Sequence, residues 1–278
     1  MKLHFFLLLP VCIAMADLHA QSIGEGIEDE RALYAETKQV NQFLRRFNGE
    51  ENVQGERYYP EDRQYHNRRL RKKYLPILFN LENDILTQEL KEEFIDLVTD
   101  RKDPKYLAFH GGDWIAELKT LFTHKGQDKE MTLFLKLQEE KVGSKWIIDH
   151  IYFEPFTRAF NPPDTNIFND KEFLHPLSHE VGFMNIFRLF NKPDSLEYYA
   201  AKNYTPDYLT LFLYEIKKGN LKFKTVAGLK FHFFQIDDWY FELSYFNRSG
   251  YNTGWLISNL MKIGPEDKKI LMKYIYHE

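Results

Sequence analysis

The chain has 278 residues, 44% of them hydrophobic and 28% charged, with 14 Gly and 11 Pro. That is the composition of a globular protein, not of a collagenous, low-complexity or disordered one. Its 37 basic and 41 acidic residues leave a formal charge of −4, which removes any global electrostatic reason to expect nucleic-acid binding. One cysteine, Cys12, excludes an intramolecular disulfide framework, and the length suits one large domain or two smaller ones.

The first twenty residues have the layout of a secretory signal peptide. Lys2 precedes an apolar run from Phe5 to Ala16, and Leu18-His19-Ala20 ends in a small residue before Gln21. The run is too short for the roughly 20 residues of a spanning helix, and a polar, acidic stretch follows it. Cleavage after Ala20 is therefore expected. Val11 is too large for the position ahead of an acylated cysteine, so lipoprotein anchoring at Cys12 is not expected. A mature chain without cysteine has no route to thiol catalysis, and it fits a Gram-negative periplasm better than a disulfide-rich eukaryotic exterior. No second long apolar segment follows, so no transmembrane span is expected in the mature protein.

Residues 23–47 read as a helix, with Glu28, Asp29 and Glu30 at its start and Leu33, Val40, Phe43, Leu44 and Phe47 on one face. Asn48-Gly49 ends it. A polar stretch leads to the basic run Arg68-Arg69-Leu70-Arg71-Lys72-Lys73, an apolar segment from Tyr74 to Leu81, and a helix over 88–98 capped by Thr87. The period then changes to two. Trp114 to Phe122, Met131 to Leu137 and Trp146 to Phe153 read as strands of an antiparallel meander, joined by polar loops at 124–129 and 139–145. Pro155, Pro162 and Pro163 mark an irregular linker over 155–170. Beyond it, 181–191, 198–202 and 206–214 read as helical. Alternation returns at Leu221 to Thr225, Leu229 to Phe233, Trp239 to Tyr245 and Trp255 to Met261, and a short helix from Gly264-Pro265 to about Tyr276 closes the chain.

Helices followed by strands thus occur twice, and short segments match in order. Phe43 to Asn48 aligns with Ile186 to Asn191, Pro104-Lys105-Tyr106-Leu107 with Pro206-Asp207-Tyr208-Leu209, and Trp146-Ile147-Ile148 with Trp255-Leu256-Ile257. The shrinking offset places a helical insertion, which includes the basic run, in the first half. Helices followed by a curved meander whose late strand carries Gly143-Ser144-Lys145-Trp146-Ile147-Ile148-Asp149 resemble the NTF2-like (cystatin-like) superfamily. The second half keeps Gly254 and Trp255 but lacks the aspartate. The resemblance implies an α+β protein of two tandem domains, 21–154 and 171–278, each a curved antiparallel sheet partly closed by helices around a cone-shaped pocket. In that family the pocket serves as an enzyme site, a ligand site or a protein-binding surface, so fold does not choose among functions.

Asp149 with His110 or Asp113 is the candidate acid–base set, because a carboxylate can orient an imidazole and stabilise its charged form. Asp149 and His150, adjacent on a strand, should point to opposite faces. His175 and His179 have a metal-compatible spacing, but Pro176 interrupts it and no HExxH motif is present; no metal and no cofactor are expected. Trp114, Trp146, Trp239 and Trp255, all on predicted strands, are candidates for lining a carbohydrate or apolar-ligand pocket, against the alternative that they are core. Arg68, Arg69, Arg71, Lys72 and Lys73 are candidates for meeting an anionic surface or partner. The reading that follows is an exported, periplasmic, non-catalytic protein that binds an envelope protein or ligand. The alternative is a small-molecule enzyme using the Asp/His set of the first half.

Overall fold

The computed structural model describes residues 40–160 and 200–277, apart from positions 53, 142, 202, 250 and 251, together with Phe190 and Leu196. The expected signal peptide with Cys12, the start of the first helix, His175 and His179, and all but Phe190 of the helix expected over 181–191 lie outside the described residues.

Helix α1 is described over residues 40–48, and it buries Val40, Phe43, Leu44 and Phe47, the stripe its sequence spacing gives. Gly49 ends it with φ at +75°, a left-handed conformation that costs a residue with a Cβ about 1–2 kcal/mol. Helix α2 (Arg68–Tyr74) begins at Asn67, whose side chain accepts from the backbone N–H groups of Arg69 and Leu70. It passes directly into a 3-10 turn, Leu75–Leu78. Helix α3 (Gln88–Val98) starts at Thr87 as its sequence implies, with the Thr87 hydroxyl accepting from the Leu90 N–H.

Three antiparallel strands follow, β1 (Trp114–His124), β2 (Gln127–Glu140) and β3 (Gly143–Tyr152). The six-residue loop expected after β1 is a two-residue turn. His124 pairs with Gln127, and Lys125 and Gly126 both take positive φ, at 50° and 79°. That is the mirror-image turn whose twist matches the strands it joins. Helix α4 (Glu154–Ala159) occupies the start of the expected linker, with Pro155 in its first turn, where a missing N–H costs nothing. After helix α5 (Tyr208–Lys218) come β4 (Leu221–Phe233), β5 (Trp239–Phe246) and β6 (Gly254–Lys262), and helix α6 (Pro265–Tyr276) ends the described chain. The two runs read as separate strands at 221–225 and 229–233 are one strand, β4. Two register shifts against β1 let it keep pairing while its alternation changes phase.

The protein is α+β, but the two meanders do not form separate sheets. All six strands join in the order β3-β2-β1-β4-β5-β6, and every neighbouring pair is antiparallel. The join is β1 against β4, from Trp114 opposite Phe233 to His124 opposite Leu221. Each meander has one long strand whose outer edge would otherwise be unpaired, and pairing the two satisfies both. One apolar cluster runs through both halves as a consequence. On one face of the sheet, Trp114, Phe231, Phe233, Phe241 and Trp255 meet Phe47 and Phe94 of the helices, with the Phe233 and Phe241 rings stacked at 4.9 Å and 3°. On the other face, α6 packs Ile275 and half-buried Leu271, Met272 and Tyr276 over Ile115, Phe134, Phe234 and Tyr240.

Candidate functional site

The four tryptophans do not share one hollow, although Trp239 borders a cavity of about 200 Å³ with Asp237, Ile263 and Lys268. Trp114 and Trp239 are buried in the aromatic layer, Trp146 packs edge-on to Trp114 at 5.3 Å, and Trp255 packs on Phe231 at 5.0 Å. The Trp114 indole N–H donates to the Phe109 carbonyl at 3.2 Å, which satisfies its one polar atom inside the core. Strand alternation therefore serves these side chains mainly as core. Trp255 also reaches an opening, a cavity of about 220 Å³ between α1 and the β5–β6 end of the sheet, where Tyr245, Phe43 and Arg46 join it.

Asp149, His110 and Asp113 are each engaged elsewhere. His110 Nδ1 shares a hydrogen bond with the Ser144 hydroxyl at 2.9 Å. Asp113 pairs with Lys268 of α6. Asp149 takes the Lys136 ammonium at 2.7 Å and the Tyr276 hydroxyl at 3.4 Å. No hydrogen bond or ion pair among the described residues links any two of the three. The expected opposition of Asp149 and His150 also fails, for a specific reason. Phe134 pairs with His150 and Leu135 with Ile148, so Asp149 is the extra residue of a β-bulge. The bulge sets both residues on the α6 side, where Tyr276 meets the His150 ring at 4.8 Å.

The basic run is largely structural. Arg71 is buried; its Nε donates to the Phe47 carbonyl at 3.0 Å, its Nη2 to the Lys105 carbonyl at 2.7 Å, and its guanidinium lies 4.5 Å from the Tyr106 ring centroid. Burial pushes the Arg71 guanidinium below its ordinary value, against the opposing effect of Tyr106 and Glu50. Arg68 donates to the Thr99 carbonyl at 2.7 Å, Lys72 pairs with Asp96, and Lys73 sits over the Tyr74 ring. Of the five, Arg69 alone makes no hydrogen bond, ion pair or ring contact through its side chain among the described residues. Beside them, His66 lies between the rings of Tyr65 and Tyr106 at 3.9 and 4.1 Å and bonds Glu50 at 3.0 Å.

The densest polar constellation was not among the sequence candidates. It crosses β1, β4, β5 and β6 on the face that α6 partly covers. His232 is buried between two partners, with Nε2 at 2.8 Å from Glu117 Oε2 and Nδ1 at 2.8 Å from the Tyr240 hydroxyl. An ionised carboxylate only accepts, so Nε2 carries a proton, and when the ring bears that proton alone Nδ1 accepts from the Tyr240 O–H. Lys230 reaches Glu117 at 3.4 Å and Glu242 at 3.1 Å, and the Ser258 hydroxyl donates to Glu242 at 3.0 Å. Burial works to raise the Glu117 carboxyl, but the His232 hydrogen bond and the Lys230 charge outweigh it and hold the group below the usual carboxylate range. Burial pushes the Tyr240 phenol far above its ordinary value, and the nearby Glu242 and Glu117 charges push it further.

Hydroxyl, imidazole and carboxylate in this order resemble the arrangement that activates a nucleophile. Here the hydroxyl is enclosed, since Tyr240 is 2% exposed and packs within the cluster under α6. In this state the network fixes the imidazole tautomer and ties three strands together, and no substrate reaches the oxygen. Among the described residues, no three His, Cys, Asp or Glu side chains gather in a way that would hold a metal ion, and no helix is long and apolar enough to cross a membrane. Comparison of the chain with models of known families, with curated proteins and with solved structures returns no match.

Proposed function

We propose that this chain is an exported, periplasmic, non-catalytic protein that binds or assembles with another protein of a bacterial envelope. Export rests on the signal-like first twenty residues, and the NTF2-like relationship rests on each half being helices followed by a meander. Within that proposal the two NTF2-like units share one sheet edge to edge.

The observation that carries the binding reading is the outward face of α5. Leu213, Tyr214 and Ile216 stand out of it with 47%, 53% and 37% of their surface exposed. Phe223 of β4, also 53% exposed, meets Phe122, whose ring in turn meets the buried Phe212 of the same helix. Clustered large apolar side chains at a helix surface mark interaction sites, whereas singly scattered ones do not. The inward faces of both halves are meanwhile packed with aromatic rings, and the acid–base candidates are dispersed.

The test is a photo-reactive phenylalanine analogue placed at Tyr214 in cells, with the same analogue at the exposed, polar Glu92 of α3 as control. A discrete adduct with an envelope protein from position 214 alone is the expected result. Equal labelling from both positions, or a mature chain that does not begin at Gln21 and remains in the cytoplasm, refutes the reading.

A further inference from the structure

The sheet has two outer edges, and the fold treats them differently. Along β6, the segment after the 3-10 turn closes the edge. Phe79 bridges Ile257, the Asn80 N–H donates to the Ile257 carbonyl at 2.9 Å, and the Asn83 side chain donates to the Ser258 carbonyl at 2.8 Å. Along β3, no strand, loop or side chain among the described residues bonds the outer backbone groups of Ser144 to Ile148. An open edge is a row of unpaired donors and acceptors, and proteins that keep it unpaired blunt it with lysines, prolines or bulges. Ser144 to Ile148 keeps a regular register against β2 and contains no proline, and the bulge comes afterwards, at Asp149. Trp146, Ile147 and Ile148 are half-buried there, an apolar run preceded by the single lysine Lys145.

The two charged residues of this stretch are also placed for self-recognition. Lys145, Ile147 and Asp149 lie on the same face of β3. A two-fold axis through Ile147 would set Ile147 against Ile147 of a second copy, Trp146 against Ile148, and Lys145 against Asp149, twice. Opposite charges directly across a strand pair stabilise it, and so do aromatic and β-branched pairs. Inside the chain Lys145 meets Glu140 at 2.8 Å and Asp149 meets Lys136 at 2.7 Å, all partly exposed, so both keep the freedom to turn toward a neighbour. We infer that β3 is a homodimerisation edge, on which two copies pair antiparallel about Ile147 to give one continuous twelve-stranded sheet. This inference is independent of the binding reading of α5, which lies on a different element.

Sedimentation of the exported chain over a concentration series tests it, using wild type, Lys145→Glu, Asp149→Lys and the double exchange. Wild type should show a monomer–dimer equilibrium, and each single change puts two like-charge pairs into the interface. Each is expected to raise the dissociation constant about tenfold or more, and the double exchange to restore it. A merely structural role for Asp149 would not be rescued by a change at Lys145. As a second measurement, Ile147→Cys in a Cys12→Ser background should form an intermolecular disulfide under mild oxidation, because facing residues bring their Cβ atoms within bonding reach. A wild type that stays monomeric to about 100 μM, far above the dissociation constants of stable dimers, overturns the inference. So does a dimer indifferent to the charge exchange, or an Ile147→Cys chain that does not crosslink.

Discussion

Tyr240→Phe isolates the buried network with the loss of one oxygen atom. At pH 8 the change removes the hydroxyl that donates to His232 Nδ1 at 2.8 Å and leaves that nitrogen buried without a partner. The cost of such an orphaned group is about 1–3 kcal/mol. At high pH an opposing effect enters. In the unfolded chain the phenol ionises near pH 10, whereas in the folded chain burial and the two glutamates hold it protonated well above that. Above pH 10 the unfolded state therefore binds fewer protons than the folded one, and stability falls as pH rises, by about 1.4 kcal/mol per unit for this one group. Phenylalanine has no such dependence. The gap between wild type and variant should close by about 1.6 kcal/mol between pH 10 and 11.5, which removes at least half of it. Urea unfolding followed by tryptophan fluorescence at half-unit steps of pH, with the slope against denaturant checked for constancy, measures the gap. A gap independent of pH from 8 to 11.5 would mean that the phenol ionises as freely folded as unfolded, and the enclosed network would be refuted.

Two further perturbations test how the first helices are held. Arg71→Met keeps the length of the side chain but leaves the Phe47 and Lys105 carbonyls without their donor, and should cost about 2–4 kcal/mol. Arg69→Met should stay within about 0.5 kcal/mol, and equal effects of the two in thermal unfolding would contradict the division of the basic run. Gly49→Ala combines a positive φ of 75° with a new Cβ only 2.7 Å from Arg71 Cγ, so a loss of about 1–2 kcal/mol is expected, and a neutral outcome by urea titration would contradict that geometry.

What was legible in the sequence was local. The period-two runs locate every strand, Thr87 marks the start of α3, and the Phe43, Leu44 and Phe47 stripe is buried as its spacing requires. Arg71 went the other way. In a run of five cations a solvated face is the ordinary expectation, and only the distant carbonyl of Lys105 and ring of Tyr106 make one of them an internal residue. The Glu117–His232–Tyr240 network left no trace for the same reason. Glu117 and His232 are 115 residues apart, and they meet only because β1 pairs with β4, with Glu117 opposite Lys230. Each of the three polar residues has a charged neighbour two residues along its strand, Lys119, Lys230 or Glu242, so alternation assigns it to a solvent face.

The matched tryptophan segments show why a sequence match can be right about local geometry and silent about assembly. The aligned segments at Trp146 and Trp255 begin the equivalent strands of the two meanders, and each strand carries a bulge three residues after its tryptophan, at Asp149 and at Ser258. The aspartate missing from the second half is therefore replaced at its own position by serine. Both bulged residues turn to the face that carries α6, Asp149 toward Lys136 and Ser258 toward Glu242. A bulge at that spacing gives each meander the same local bend and so makes the halves alike. It places no constraint on β1 and β4, which lie at the opposite edge of each meander. Those inner strands needed only long, regular, unpaired edges to find each other, and that requirement is written in length and alternation without any particular residue. The same reasoning makes β3 the consequential edge: the bulge and the tryptophan are shared with β6, so the segment at Phe79 to Asn83 that closes β6 is what separates a finished edge from an open one.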